Sequence, residues 1–299
     1  MTETPDSTDT VDDSNESADS EHSNASADSE DPNAEIQYHL EVGPDDVAES
    51  VLLPGNPERV ETVAAVWDDH EEVAHHREYR TLTGHYEETP ISVTSTGIGS
   101  PSAAIAVEEL ARVGADTMIR VGSCGTLQPD VEIGDLVITT GAVRQEGTSD
   151  EYVREDYPAV ADHEVVAALV AAAERLGHDY HLGLTMSADS FYAGQGRPGY
   201  DGFRAAGSDD LLDELRETNV VNVEMEASAI LTLANVYGLR AGAVCTVYAN
   251  RETGEFRVEG ETRASETASL AVALLAEMDR KKTDADVESW HADLGLDGA

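Results

Sequence analysis

The chain is poor in lysine and cysteine, and each shortage excludes a class of protein. Lysine occurs only at positions 281 and 282, and the formal net charge is −43. Because nucleic-acid binding depends on clustered lysine and arginine, we expect no nucleic-acid partner. The two cysteines, Cys124 and Cys245, lie far apart with no metal-ligand spacing, which argues against a disulfide scaffold and against a structural zinc site.

Long apolar runs are also missing. No segment reaches about 18 consecutive apolar residues, the length at which a membrane span is predicted. The first residues, MTETPDSTDT, contain neither the basic nor the apolar region of a secretion signal. The sequence therefore predicts no membrane segment, no secretion and a cytoplasmic location.

Acidic residues are what the chain has in excess. Its 61 aspartates and glutamates stand against 18 lysines and arginines, and they are spread along the whole chain. Such a surface repels itself in dilute buffer, but at molar salt the screening length falls to about 3 Å. The composition resembles that of proteins from halophiles that accumulate salt. The alternative is an acidic surface that binds a basic partner.

Composition divides the chain into three segments. Residues 1–35 are dominated by Ser, Asp, Glu, Asn, Ala and Thr, with little to bury, so we predict a disordered acidic tail. Residues 36–280 are expected to form one domain, followed by an acidic C-terminal extension at 281–299. No Pro/Ser-rich linker and no internal repeat interrupts the middle segment.

In the middle segment, short runs rich in β-branched residues alternate with alanine-rich segments of helical period. With only 5% aromatic residues and 24 glycines, this pattern favours a single α/β domain over a small β-sandwich. The predicted strands are 50–53, 91–95, 117–121, 135–140, 182–187, 220–223 and 242–247. The predicted helices are 57–67, 101–113, 159–176, 226–237 and 266–280.

Two predicted strand ends carry arginines suited to an anion. In LPGNPERV, Gly55 allows close approach of the backbone, and Arg59 lies in the first turn of the next helix, where free N–H groups favour phosphate or carboxylate. A plain turn with a surface arginine is the alternative. Arg120 ends an apolar strand beside Ser123, and a buried guanidinium there needs either a phosphate or an internal carboxylate as its partner.

Two further segments could hold a sugar and a flat ring. Glu224 and Glu226, two apart on an extended chain, face the same side and could accept the hydrogen bonds of a sugar diol. They could equally be ordinary acids of a first helical turn. In FYAGQGR, Phe191, Gln195 and Arg197 combine an aromatic face, an amide and a cation, which suits a polar heterocycle but is a weak indication alone.

Other motifs are rejected. STGIGSPS lacks the spacing and the downstream acid of a dinucleotide site, and no Walker sequence is present. Cys124 has no histidine at a recognisable motif spacing, so we expect a packed thiol rather than a nucleophile. His75 and His76 are adjacent on a strand and point to opposite faces, so they do not easily share one metal ion.

Seven segments follow one another in the order of a known family. They are LPGNPERV, HREY, TSTGIGSPSAAIAVEEL, RVGSCGTLQPDVEIGD, SADSFYAGQGR, NVEMEAS and VYANRE. Together they closely resemble the uridine phosphorylase branch of the hexameric nucleoside phosphorylases, over about residues 39–280. The resemblance implies a twisted mixed central sheet with helices on both faces. It also implies a homohexamer, built as a trimer of dimers, whose active sites are shared between subunits.

The resemblance further implies phosphorolysis of a nucleoside, with inorganic phosphate as co-substrate and no organic cofactor. The phosphate ligands would be Gly55, Arg59, Arg120 and Ser123, with Arg77 from a neighbouring subunit. The ribose would be held by Met225 and Glu226, with Glu224 nearby and His39 from the neighbour. The base would meet Phe191, Gln195, Arg197 and Arg251. The catalytic work would fall to Arg120, Glu226, Gln195 and Arg197.

A metal is not required by this resemblance, but one is allowed. In bacterial relatives a monovalent cation sits at a dimer interface, at the positions of Glu78, Ile98 and Ser102, and all three residues are present here. A potassium ion is therefore an option at that place.

The chain departs from the family pattern at two places. Asn56 replaces the usual acid of the first motif, and GSCG after Arg120 is more typical of purine-specific relatives. Ala249 stands where purine enzymes of this branch place the Asp that protonates the base, which favours a pyrimidine. We therefore predict phosphorolysis of uridine. The alternatives are a purine nucleoside phosphorylase, a hydrolytic nucleosidase and a noncatalytic nucleoside-binding protein.

Overall fold

The computed structural model describes residues 36–296; the predicted disordered tail at 1–35 lies outside the described residues, as do residues 297–299. The strands are β1 Ser50–Leu53, β2 Asp69–His76, β3 Tyr79–Tyr86, β4 Thr89–Thr94, β5 Thr117–Thr126, β6 Leu136–Gln145, β7 Ala159–Val160, β8 Tyr180–Ala188, β9 Val220–Glu224 and β10 Arg240–Asn250. The α-helices are α1 Arg59–Ala64, α2 Ser100–Arg112, α3 His163–Leu176, α4 Ser208–Glu217, α5 Ala227–Tyr237 and α6 Glu261–Ala285.

The strands form one sheet that partly closes on itself. β5 pairs with β10, β10 with β6, β6 with β8, β8 with β9, and β9 pairs back with β5. From β5 the sheet continues through β1, β4, β3 and β2. β1 is parallel to β4 and β5, whereas β5 and β9 are antiparallel. The prediction of a mixed sheet is therefore confirmed.

Helices cover both faces of the sheet, because alternate strand residues point to opposite sides. In β1, Leu52 belongs to the core formed with α1, α3 and α6, whereas Val51 and Leu53 belong to the core formed with α2 and α5. All three side chains are fully buried. A strand that is covered on both sides has a continuous apolar sequence, which is why VLL was predicted as a strand.

Two predicted helices are shorter in the structure. The predicted helix 159–176 begins at His163, because the Asp162 carboxylate accepts hydrogen bonds from two backbone N–H groups of the first turn, at 2.9 and 3.1 Å. Ala159–Val160 pairs with β6 instead. The predicted helix 57–67 is shorter than expected and covers only Arg59–Ala64.

The GSCG segment lies beyond the predicted end of its strand at residue 121, but in the structure it continues strand β5. Gly122 pairs with Cys245 of β10 in the parallel register. A Cβ atom on Gly122 would lie 2.8 Å from Cys245 Sγ and 2.9 Å from Arg120 Nη2. Glycine is therefore needed because the Arg120 side chain and the neighbouring strand both pack against this part of the backbone.

The C-terminal helix α6 ends at Ala285, beyond the predicted end at Arg280. The chain after it returns to α3, where Trp290 N donates to Glu164 Oε1 at 2.8 Å. The domain limits at residues 36 and 280 stay predictions. Within residues 36–296, no helix is long and apolar enough to cross a membrane.

Candidate active site

A cavity of about 640 Å³ lies where several strands end. Gly55 and Arg59 follow β1, Ile98 follows β4, residues 191–197 follow β8, and Arg251 follows β10. In α/β sheets, ligands bind outside the carboxyl ends of the strands. The cavity therefore occupies the place where a ligand is expected.

Most of the predicted site residues line this cavity together. They are Gly55, Arg59, Ile98, Arg120, Ser123, Phe191, Gln195, Arg197, Glu224, Met225, Glu226 and Arg251. The predicted residues that do not line it are His39, Arg77, Glu78 and Ser102. The residues predicted for phosphate, ribose and base thus meet in one cavity, while the role of each stays a prediction.

Arg120, Glu224 and Glu226 form a buried arginine–glutamate cluster. Arg120 Nε lies 2.6 Å from Glu224 Oε2, and Arg120 Nη2 lies 2.5 Å from Glu226 Oε2. All three residues are at most 4% exposed. Burial alone would lower the pKa of Arg120, but the charges of Glu226 and Glu224 outweigh it and raise that pKa, so the guanidinium stays charged.

This geometry answers the open question about the partner of Arg120. An internal carboxylate pairing, one of the two alternatives, is present in the structure. A guanidinium has five N–H donors, and these two ion pairs use only Nε and one terminal nitrogen. The pairing therefore leaves further N–H groups of Arg120 that an anion could bind.

Glu226 sits at the start of α5 and faces the cavity. Its Oε1 accepts a hydrogen bond from Gly99 N at 2.6 Å. Burial raises the pKa of Glu226, and the charge of Glu224 adds to this, whereas the charge of Arg120 lowers it. The carboxylate is thus held in place by donors that a sugar diol could replace.

Two other cavity arginines have buried donors without acceptors. Arg59 Nε and Arg251 Nη1 have no hydrogen-bond partner in the described part of the chain. The nearest carboxylate to Arg59 Nε is that of Glu261, at 3.7 Å. Burial lowers the pKa of Arg251, and the neighbouring charge of Arg204 lowers it further. Unpaired buried donors of this kind are costly, and an anionic ligand would satisfy them.

The segment 191–197, here called the base loop after its predicted role, has several internal contacts made by Arg197. The Arg197 guanidinium carbon lies 3.9 Å from the centre of the Phe191 ring, and Nη1 donates to Phe191 O at 3.0 Å and to Gln195 Oε1. Burial lowers the pKa of Arg197 to about 10, helped by the charge of Arg251. One face of Phe191, expected to stack on a base, is therefore occupied by Arg197.

Sequence reasoning missed a further group of cavity residues. They follow or end strand β10 and its turn: Tyr248, Asn250, Gly254, Glu255 and Phe256. Asn250 Nδ2 donates to the carbonyl oxygens of Gln128 and Val131, at 3.2 and 3.1 Å. Its Oδ1 accepts from two backbone N–H groups of the following turn, each at 3.0 Å. The sequence signal that could have identified Asn250 is an amide side chain at a strand end, directly before a glycine-containing turn.

His39 and Arg77 both lie beside Tyr38, and neither lines the cavity. His39 Nδ1 is 2.6 Å from Glu109 Oε1, and its ring centre is 4.8 Å from that of Tyr38. The Arg77 guanidinium lies 5.7 Å from the same Tyr38 ring. The two residues predicted to reach a neighbouring subunit therefore both approach Tyr38 of their own chain, and their role in a neighbouring subunit stays a prediction.

Glu78, Ile98 and Ser102 line a second cavity of about 510 Å³. It shares Gly55, Asn56 and Ile98 with the first cavity. Among residues 36–296, no group of three or more His, Cys, Asp and Glu side chains is placed to hold a metal ion. Carboxylate, carbonyl and hydroxyl oxygens are nevertheless the donors that hard cations prefer.

Cys124 lines the main cavity, but its thiol is not set up as a nucleophile. Burial raises the pKa of Cys124 well above its ordinary value, and the adjacent Cys245 raises it further. Because the thiolate is the reactive form, the packed thiol expected from the sequence agrees with this environment.

Comparisons with known proteins agree with the geometry. The family model of the phosphorylase superfamily matches residues 49–277. A uridine phosphorylase from Thermococcus kodakarensis is 59% identical over 256 residues, covering 86% of this chain and 92% of that protein. A guanosine phosphorylase from Halorubrum lacusprofundi is 45% identical over 218 residues, covering 73% of this chain and 85% of that protein. A uridine phosphorylase from Escherichia coli is 39% identical over 247 residues, covering 82% of this chain and 97% of that protein.

Proposed function

Because the chain belongs to the phosphorylase superfamily, we propose that it cleaves uridine with inorganic phosphate, giving uracil and ribose 1-phosphate. One observation carries this proposal: the buried arginine–glutamate cluster lies in the same cavity as the base loop and Arg59. Anion donors, diol acceptors and a ring-binding loop are thus combined in a space of about 640 Å³, a normal size for a small-molecule site.

In the proposed mechanism, phosphate is bound by arginines already in place. Arg120 keeps its charge, and Arg59 offers a buried Nε donor that has no hydrogen-bond partner within the described residues. Gly55 and Ser123 line the same cavity. Guanidinium groups bind phosphate oxygens through paired N–H bonds, so an oxyanion would be fixed beneath the sugar.

Glu226 would hold the ribose through its 2′ and 3′ hydroxyls. Its carboxylate offers acceptor oxygens to a diol, and the diol would compete with Gly99 N and with Arg120 for them. Phosphate attracts the Arg120 guanidinium at the same time. With both substrates bound, Arg120 would therefore contact phosphate and Glu226 would contact ribose. These contacts would replace part of the interaction that the two side chains make with each other in the structure.

The base loop would stabilise the leaving uracil. As the glycosidic bond breaks, negative charge moves into the pyrimidine ring, and Arg197 and Gln195 would bind that ring more strongly as the charge grows. Ala249 lines the cavity without an acidic group, and both ends of the Asn250 amide are used in backbone hydrogen bonds. Neither residue can protonate a purine, which supports a pyrimidine.

The proposal also covers the location of the protein, its oligomeric state and a metal ion. The chain acts in the cytoplasm as a homohexamer in which His39 and Arg77 enter the site of a neighbouring copy. Glu78, Ser102 and the carbonyl oxygen of Ile98 would hold a potassium ion shared between two copies, and it would order the interface beside Gly55 and Asn56.

One assay tests the proposal. The protein is incubated with uridine, cytidine, thymidine, inosine and guanosine at high KCl, with and without phosphate, and the released base and sugar are identified. We expect uracil and ribose 1-phosphate, formed only with phosphate. Free ribose formed without phosphate would instead identify a nucleosidase, and tight uridine binding without cleavage a binding protein.

Guanosine is the second candidate substrate. The Halorubrum lacusprofundi relative is a guanosine phosphorylase at 45% identity, and GSCG is present in this chain. Faster cleavage of guanosine than of uridine in the same panel would replace uridine by guanosine in the proposal.

A further inference from the structure

Ser187 lies at the end of β8, opposite Glu224 of β9 in the register of the two strands. Its hydroxyl is fully buried and donates a hydrogen bond to Glu224 Oε1. We propose that Ser187 is a positioning residue, which fixes the Glu224 carboxylate so that Glu224 holds the Arg120 guanidinium in place for phosphate. The inference rests on the proposed function, because it takes Arg120 as a phosphate ligand.

The carboxylate of Glu224 accepts four hydrogen bonds from its own chain. Its Oε2 accepts hydrogen bonds from Arg120 Nε at 2.6 Å, from Glu226 N at 2.8 Å and from Ala227 N at 2.9 Å. Its Oε1 accepts from Ser187. An ionised carboxylate has about four lone-pair sites, two on each oxygen, so Oε2 is fully used and Oε1 has one site taken by Ser187. Glu224 is therefore assigned to the support of Arg120, whereas the sequence placed it near the ribose.

Ser187 is itself held in one orientation. Ser228 N, in the first turn of α5, donates to Ser187 Oγ at 2.8 Å. Since the oxygen accepts from the helix, its single hydrogen is directed to Glu224. Ser187 does not line the cavity, so it can influence a substrate only through other residues. The route from Ser187 to the cavity runs through Glu224 to Arg120.

The loss of this hydroxyl would act mainly on phosphate. Glu224 Oε1 would become a buried acceptor without its Ser187 donor, and the carboxylate would turn or take up a proton to compensate. Either change weakens the ion pair with Arg120 Nε. Glu226 keeps its separate hydrogen bond from Gly99 N, so the proposed ribose contact remains.

Ser228 offers a matched control. Its hydroxyl is also fully buried, and it donates to Glu146 Oε1 at 2.9 Å rather than to Glu224. The substitution Ser228→Ala removes one buried hydroxyl from the same network but keeps the backbone N–H that binds Ser187. A general packing effect would therefore appear in Ser187→Ala and Ser228→Ala alike.

The test compares phosphate and uridine in five variants: Ser187→Ala, Ser187→Cys, Ser228→Ala, Glu224→Gln, and Ser187→Ala combined with Glu224→Gln. The Cys variant fills the site but donates poorly, so it serves if the Ala variant does not fold. Phosphate Kd is measured by calorimetry at high KCl, and the KM values of phosphate and uridine by initial rates.

We expect Ser187→Ala and Ser187→Cys to weaken phosphate binding about tenfold, as when a buried acceptor loses its donor. The KM of uridine should change less than about twofold, and Ser228→Ala should change phosphate Kd less than about twofold. Adding Ser187→Ala to Glu224→Gln should change phosphate Kd little further, because Glu224→Gln already removes the carboxylate through which Ser187 acts on Arg120.

Equal losses of phosphate affinity in Ser187→Ala and Ser228→Ala would overturn the inference. Additive losses of phosphate affinity from Ser187→Ala and Glu224→Gln would overturn it as well. If the wild-type protein binds phosphate and both Ser187 variants bind it equally well, the inference fails while the proposed function stands. If the wild-type protein releases base without any phosphate dependence, the proposed function fails, and this inference fails with it.

Discussion

The arginine–glutamate cluster and the base loop each place an arginine in the cavity, but only the cluster supplies that arginine with opposite charges. Arg120 contacts two carboxylates and has a raised pKa. Arg197 contacts a carbonyl oxygen, an amide oxygen and an aromatic ring, and burial lowers its pKa to about 10. The cluster thus balances its cation with carboxylates of the same chain, whereas the base loop holds a cation that negative charge on a leaving base would stabilise.

The largest expected effect is on folding. In Arg120→Met, two buried carboxylates lose their cation, so we expect the free energy of unfolding to fall by about 3–5 kcal/mol and activity to be lost. Urea unfolding at constant high KCl measures the change.

Arg216 provides the comparison. It also contacts two acids, Asp213 at 2.6 Å and Glu252 at 2.7 Å, but these pairs lie at the surface. Arg216→Met should change the free energy of unfolding by less than about 1 kcal/mol. Equal losses in the two variants would show that burial of the cluster has no special importance.

Substrate choice tests the base loop. Cytidine presents an amine where uridine presents an acceptor, so a donor of the half-buried Arg197 would face another donor. We expect kcat/KM for cytidine to be at least about 100-fold below that for uridine. Equal cleavage of the two nucleosides would remove Arg197 from base recognition.

A smaller effect is expected when Arg197 itself is removed. In Arg197→Ala, kcat/KM for uridine should fall at least about tenfold, since a preorganised donor to the transition state is lost. Unlike Arg120→Met, this variant should keep its free energy of unfolding within about 1 kcal/mol, because no carboxylate is left unpaired. An unchanged kcat/KM would contradict the role of Arg197, and a large loss of stability would contradict the contrast with Arg120.

The smallest effect concerns salt. A chain of net charge −43 repels a phosphate dianion at long range, while the contact arginines act at short range. Raising KCl from about 0.1 M to about 2 M should therefore lower the KM of phosphate a few-fold, because screening removes mainly the long-range term. The oligomeric state is measured at both concentrations. Equal KM values for the same oligomer would argue against this explanation.

The sequence predicted the elements whose side chains alternate between two apolar cores. VLL in β1 and TMIR in β5 are examples, because both faces of each strand are buried. The β2 strand was not among the predicted strands, since DHEEVAHH is polar, mostly exposed and at the end of the sheet. α4 was also missed; its sequence, SDDLLDELRE, has only a narrow apolar stripe.

The candidate site was predicted in a different way. The strand ends and their glycines located Gly55, Arg59 and Arg120, and these residues do line one cavity. Ser187 could not be found, because its role depends on the register of β8 against β9, which no local pattern reveals. The partner of Arg120 stayed open for the same reason, since Glu224 lies far from it in sequence.

The central claim is that Arg59 and Arg120 hold an inorganic oxyanion in this cavity. A crystal structure of the protein soaked in phosphate tests it most directly. We predict a phosphate whose oxygens lie about 3 Å from Arg59 Nε and from a terminal nitrogen of Arg120. An empty cavity at saturating phosphate, with Arg120 bound only to Glu224 and Glu226, would contradict the account.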